Sequence, residues 1–220
     1  MRMDKPGIVI VGLGPAGANL LTREAWEWLN SLSEVYLRTA FHPCVGELPA
    51  GLEVHSFDDV YEQEESLAAV LAEISQRVLQ LGRKPGGVTY GVPGSPWVAE
   101  ETTVQILAAA REEGLPVRVI DGMSFVEPVC AALGIDPSAK LFFVDALHLA
   151  DRYVPPFPPS YGALISQITA GMPLSEVKLT LMSNYPDEYP VRLVHAAGTN
   201  QQEVEELPLY ALDLSPKVGL

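Results

Sequence analysis

The chain has 220 residues, enough to bury a core as one large domain or as two domains of about 100 residues each. Twenty-eight acidic residues against 14 basic ones give a formal charge of −14, and such a surface repels phosphate backbones and anionic lipid, which excludes nucleic acid and membrane as partners. Cys44 and Cys130 lie far apart with no CxxC or Cys/His spacing, so they read as thiols of a reducing cytoplasm, outside any disulfide framework or zinc site.

Gly7 to Leu21, GIVIVGLGPAGANLL, is an apolar run that breaks into glycine and proline. Ile8, Val9, Ile10 and Val11 fit a strand buried on both faces. Gly12, Gly14 and Gly17 then open a loop, where a glycine takes positive φ and lets the backbone approach a ligand. The glycines and Pro15 interrupt the apolar run too often for a secretion signal, and no later run is long enough to span a bilayer. The spacing satisfies GxGxxG, the dinucleotide fingerprint, which also requires a helix opening at the loop and an acid ending the second strand. Neither is present: the helix signal waits until Thr22, and the second strand, Val35 to Leu37, ends in Arg38 and Thr39. A flavin or nicotinamide oxidoreductase therefore rests on glycine spacing alone.

Thr22 caps a predicted helix to Ser31, with Leu21, Ala25, Trp28, Leu29 and Leu32 on one face. His42 and Pro43 begin a turn or short helix, and Val54 centres a third strand. Phe57 to Ser66 is acidic; Asp58, Asp59, Glu62 and Glu65 could gather around magnesium, but a solvated face is the usual outcome, and no metal is expected. A long helix covers Ser66 to Leu81. Gly86 to Tyr90 is a fourth strand that runs into a second glycine junction, GVPGSPWVAE, with a helix from about Trp97 to Glu113 capped by Gly114. Val117 to Ile120 is a fifth strand leading to a third junction, DGMSFVEP.

Strand, glycine loop and helix alternate, as in a parallel sheet. Beyond Gly122 the pattern shifts to shorter helices and more strand. A helix runs to Leu133, followed by a strand at Leu141 to Val144. YVPPFPPS is an extended connector, Ala163 to Ile168 a strand, Leu174 to Met182 a helix, and Val191 to Val194 and Glu206 to Leu212 strands. Two α/β domains result, 1–122 with a parallel sheet and 123–220 with a mixed sheet.

VGLGPAG with LLT, GVPGSP, DGMSFVEP and VHAAGTNQQEVEELPL occur in order with spacing that resembles the tetrapyrrole methylase family. YLRT with HP, VPGSP, VDAL, KLTLMSNYPDEYP and AAGT look closer to one branch, the methylase-like domain at the N-terminus of MazG-type nucleotide pyrophosphohydrolases. The resemblance implies two α/β domains with a ligand cleft between them, S-adenosylmethionine as cofactor, a small-molecule acceptor, a homodimer, and a functional link to a pyrophosphohydrolase. It further implies that Gly14 and Pro15 line the cleft, that Pro93, Gly94, Ser95 and Val98 hold the methionine part, and that Ser124 and Phe125 lie beside it. Ala197 and Gly198 would approach the adenine, and Gln167 falls where the family has a cofactor-contacting methionine. Two positions depart from the pattern: Ser95 replaces an acidic residue, and Asp121 stands where proline is usual.

Methyl transfer is a direct displacement that needs positioning more than acid-base help, so no catalytic triad or carboxylate pair is expected. A tetrapyrrole's carboxylates would call for Arg or Lys. Arg38, His42 and Arg152 are the candidates, although a lone arginine at a strand end is usually a surface residue. Tyr90, at the end of its strand, either reaches the substrate or fills the core. The alternative to an enzyme is a module that senses a nucleoside-type ligand for a pyrophosphohydrolase. The ExxE and later ExxD pattern of that hydrolase is absent, since Glu62 with Glu65 and Glu203 with Glu206 have no partner, so pyrophosphatase activity is not expected of this chain.

Overall fold

The computed structural model describes residues 7–64, 66–138, 140–168 and 174–216, which form a mixed α/β chain of two compact units, Met1–Pro128 and Val129–Leu220. In the first, the order is β1 (Ile8–Gly12), α1 (Arg23–Leu29), β2 (Glu34–Leu37), β3 (Glu53–Ser56), α2 (Asp58–Gln63) and α3 (Leu67–Gly82). It continues with β4 (Val88–Val92), α4 (Glu101–Glu113), β5 (Val117–Ile120) and α5 (Val126–Leu133). The five strands form one parallel sheet in the order β3-β2-β4-β1-β5.

Alternation along β1 builds two cores. Ile8 and Ile10 face α3 and α4, packing with Ile74, Val78, Ile106 and Ala110; Val9 and Val11 face α1, packing with Ala25 and Leu29. β1 and β4 are buried along their whole length, as their unbroken β-branched and apolar composition requires. The helices that follow these two neighbouring strands leave to opposite faces of the sheet: α1 after β1, α4 after β4. This switch of direction is where open α/β sheets form a ligand crevice, outside the carboxyl ends of their strands.

Thr22 caps α1, its hydroxyl accepting from the Ala25 N–H at 3.1 Å, and Gly114 ends α4 in the left-handed conformation, both as expected. α4 opens later than expected, at Glu101 instead of Trp97. Ala99 is held at φ 54°, outside the right-handed helical region, so the helix cannot begin before it. The acidic segment folds into α2, which periodicity did not reveal. Asp58 accepts from the Ala40 N–H at 2.9 Å, Asp59 pairs with Arg77 at 2.6 Å, and Glu65 lies outside the described residues.

The second unit carries β6 (Leu141–Asp145), α6 (Ala146–Ala150), β7 (Gly162–Ser166), α7 (Leu174–Met182), β8 (Pro190–His195) and β9 (Glu203–Pro208). The expected mixed sheet is, among the described residues, two two-stranded sheets: β6–β7 parallel and β8–β9 antiparallel. Leu149, Phe157, Val177, Leu181 and Leu209 are buried in its core. The last strand starts earlier than expected and stops at Pro208; Leu209–Leu214 is a 3-10 turn instead. The units divide after Pro128, within α5 and beyond the Gly122 expected from the sequence, because Gly122 is packed into the first unit. No helix among the described residues is long and apolar enough to cross a membrane.

Candidate functional site

Three loops leave the carboxyl edge of the first sheet at its switch point: Leu13–Thr22 after β1, Pro93–Glu100 after β4, and Asp121–Phe125 after β5. Gly14 and Gly94 form an isolated antiparallel bridge, with Gly14 N–H donating to Gly94 O at 3.1 Å and Gly94 N–H donating to Gly14 O at 2.7 Å. Both glycines take φ 68°, which lets two parallel-strand loops turn and pair in this way. The third loop locks behind them. A Cβ on Gly12 would lie 2.6 Å from Gly122 Cα and 2.7 Å from Pro96 Cδ, and one on Gly122 would collide with the Gly94 carbonyl. The Thr22 hydroxyl donates to Asp121 O at 3.0 Å, closing the first loop on the third.

The structure thus brings together Gly14, Pro15, Pro93, Gly94, Ser95, Val98, Ser124 and Phe125, all on these three loops. Ser95 and Ser124 are buried. Ser95 Oγ accepts from Trp97 N–H at 3.2 Å, and Ser124 Oγ donates to Glu127 at 2.5 Å and accepts from Val126 N–H at 3.0 Å, so both hydroxyls shape their loops. Gln167, Ala197 and Gly198 belong to the second unit. Gln167 follows β7 at φ 64°; Ala197 and Gly198 lie in the β8–β9 turn, which is held by Thr199 Oγ1 donating to Ala196 O at 2.8 Å and Gly198 N–H donating to Gln202 at 3.0 Å. Arg152, also in the second unit, lines an open groove of about 390 Å³ with Tyr153, Glu176, Leu179 and Thr180.

Of the two alternatives for Tyr90, the structure places it in the core. Its side chain is 0% exposed, and its hydroxyl is shared with Thr102 Oγ1 at 3.1 Å, because β4 is buried on both faces and leaves no solvent side for any of its residues. Arg38, at the end of β2, is turned inward: its Nη1 donates to Glu100 at 2.8 Å, and Glu100 also accepts from Thr102 N–H at 3.1 Å as the cap of α4. A buried carboxylate of this kind has no sequence signal, since its partner stands 62 positions away. Two further residues were missed for the same reason: Glu47, which accepts from Ala18 N–H at 3.3 Å, and Trp97, whose indole donates to Asp121 Oδ1 at 2.8 Å.

His42 caps the 3-10 turn Pro43–Glu47 and lies against the first loop. Burial lowers its pKa from 6.5; a hydrogen bond to the Gly14 backbone works the other way, and nearby Arg38 adds to the lowering. Cys44 Sγ lies 3.1 Å from His42 Nδ1, and burial, reinforced by Glu47, pushes this thiol up to about 12, so the pair is neutral and not a nucleophilic dyad. A depressed imidazole gives stability that is complete above its unfolded value of 6.5 and is lost as pH falls through the lower folded value. Thermal melts of the wild type should therefore weaken on acidification below pH 6.5, with a shallower slope for His42→Gln; identical slopes would contradict this.

The cofactor implied by the resemblance can be tested against these loops. A Cβ on Gly94 would meet only Met123 O, at 3.9 Å, so the bridge is open on that side while Gly12 and Gly122 fill the other. None of the three loops contains Lys or Arg, and the first leads into a three-residue 3-10 turn, Ala18–Leu20, too short to hold a pyrophosphate by its dipole. Uncharged backbone plus the Asp121 carboxylate fits a nucleoside with a cationic tail better than a dinucleotide. The residues present fit S-adenosylmethionine.

The chain is similar in fold to several solved methyltransferases. The chain superposes on a cobalt precorrin-4 methyltransferase of cobalamin biosynthesis with a TM-score of 0.66 and 16% identity, covering 94% of this chain and 87% of that one. For the uroporphyrin-III C-methyltransferase of Thermus thermophilus the values are 0.67, 20%, 98% and 89%, and for a diphthine synthase 0.62, 18%, 97% and 86%. At these identities the likeness shows the fold. The sequence profile of the tetrapyrrole (corrin/porphyrin) methylases matches residues 7–213, and the chain belongs to that family. It is 38% identical over 209 residues to the uncharacterized protein YabN of Bacillus subtilis (strain 168), covering 94% of this chain and 42% of YabN. It is 27% identical over 144 residues to the methyltransferase/borosin cyclic peptide precursor mroMa1 of Mycena rosella, covering 63% of this chain and 36% of that protein. The chain spans less than half the length of these curated relatives.

Proposed function

We propose that the chain is an S-adenosylmethionine-dependent methyltransferase acting on a small acceptor. The observation that carries this reading is the Gly14–Gly94 bridge with Gly122 packed behind it, a rigid and uncharged ledge at the sheet's switch point. When bound, S-adenosylmethionine supplies an electrophilic methyl group on a sulfonium sulfur. Pro93, Gly94, Ser95 and Val98 hold and orient its methionine part through backbone groups, and half-buried Val98 and Phe125 exclude water. Arg38 is neutralised by Glu100, and His42, beside the first loop, is held neutral, so neither offers a free cation to a polycarboxylate. This favours an acceptor other than a tetrapyrrole. We further propose a homodimer, to be read as twice the chain mass by light scattering.

A second reading is a ligand-sensing module linked to a MazG-type nucleotide pyrophosphohydrolase. It is favoured by the internal engagement of Arg38, His42 and Tyr90, and by a relative, YabN, of which the match covers only 42%. Calorimetry with S-adenosylmethionine, S-adenosylhomocysteine, NADH and FAD, followed by transfer of a tritiated methyl group to candidate acceptors, separates the readings. Binding with transfer supports the enzyme, and binding of the sulfur ligands without transfer supports the module. Binding of NADH or FAD alone would overturn both.

A further inference from the structure

We propose that Trp97 and Asp121 form the subsite for the cationic group of the bound nucleoside ligand, an inference that rests on the cofactor reading above. The two residues come from different loops and are joined by the indole N–H to Asp121 Oδ1 at 2.8 Å. Trp97 is 55% exposed, an unusual place for so large an apolar residue, yet it is held at two points: its backbone N–H donates to Ser95 and its ring nitrogen to Asp121. Asp121 is equally fixed. Its carbonyl accepts from Thr22, and its neighbour Gly122 is wedged between Gly12 and the Gly94 carbonyl. A carboxylate and an aromatic ring from two of the three loops are thus held together at the sheet edge that carries the Gly14–Gly94 bridge.

The charge at this place is unmatched. Asp121 makes no ion pair among the described residues, and the three loops hold no Lys or Arg to make one. Ser95, the buried hydroxyl of the middle loop, is already accepting from Trp97. A cation lodged against the indole gains both the attraction of the ring face and the carboxylate's charge, and the N–H donated to that carboxylate makes the ring a better cation partner. S-adenosylmethionine carries two such cations, the sulfonium and the α-ammonium.

Asp121→Asn keeps the acceptor for Trp97 and removes only the charge. Calorimetry of wild type and variant with S-adenosylmethionine, S-adenosylhomocysteine and methylthioadenosine identifies the group. If the subsite takes the sulfonium, the variant binds S-adenosylmethionine about tenfold more weakly and S-adenosylhomocysteine nearly as before. If it takes the ammonium, both weaken about tenfold while neutral methylthioadenosine is unchanged. Trp97→Leu, which keeps apolar bulk, should weaken the cationic ligands in the same pattern by about fivefold. Unchanged affinities in Asp121→Asn, or equal weakening of all three ligands, would overturn the subsite. A wild type that binds none of the three would overturn the cofactor reading on which it rests.

Discussion

Replacing Gly122 with alanine is expected to abolish binding of S-adenosylhomocysteine and to lower the melting temperature by on the order of 10 °C, the effect of about 3 kcal/mol in a chain of this size. The reason is steric. The new Cβ would collide with the Gly94 carbonyl and lie 2.7 Å from Gly12 Cα and 2.9 Å from Gly12 C. All of these are backbone atoms, of the end of β1 and of the middle loop, and a shift of the Gly94 carbonyl would disturb the Gly14–Gly94 bridge. Gly46→Ala is the control: its Cβ would meet nothing within 4 Å, and the change should stay within about 0.5 kcal/mol. A Gly122→Ala protein that melts and binds like the wild type would show that the three loops are not interlocked.

Glu100→Ala should cost about 3–5 kcal/mol, because it strands the guanidinium of Arg38 without its carboxylate. Arg38 is only 21% exposed at its side chain and Glu100 1%, so water screens the pair poorly. Arg38 Nε is already buried without a partner among the described residues, and removal of Glu100 leaves the same group still less satisfied. The alanine also removes the α4 cap, a further ~1 kcal/mol. Arg38→Met combined with Glu100→Gln removes both charges while keeping an acceptor for Thr102 N–H, and should recover most of the loss in chemical denaturation. If the double variant is no more stable than Glu100→Ala, the cost lies elsewhere than in an unpaired buried charge.

Much of the first unit was legible because its signals are local. The β-branched run Ile8–Val11, the Thr22 cap and the Gly114 cap each depend on residues within a few positions, and each forms where the sequence places it. The glycine spacing also announced three junctions. What the spacing did not contain is why they meet, since the contact of Gly12 with Gly122 follows from β1 lying beside β5, a long-range pairing. Tyr90 shows a different limit. Alternation tells inside from outside only when a strand has a wet face, and β4 has none, so periodicity could not choose between core and site. Arg38 reads as a surface residue until the fold sets Glu100 against it, and the late start of α4 depends on Ala99 holding a backbone angle that nothing in its sequence requires.

In the proposed function, three loops of one sheet edge bind a sulfonium nucleoside together. Amide hydrogen exchange with and without saturating S-adenosylhomocysteine tests it at residue level. Ligand should slow exchange jointly in Leu13–Gly17, Gly94–Val98 and Gly122–Phe125. Binding that protects none of these segments, or only one while the other two exchange as in the free protein, would contradict it.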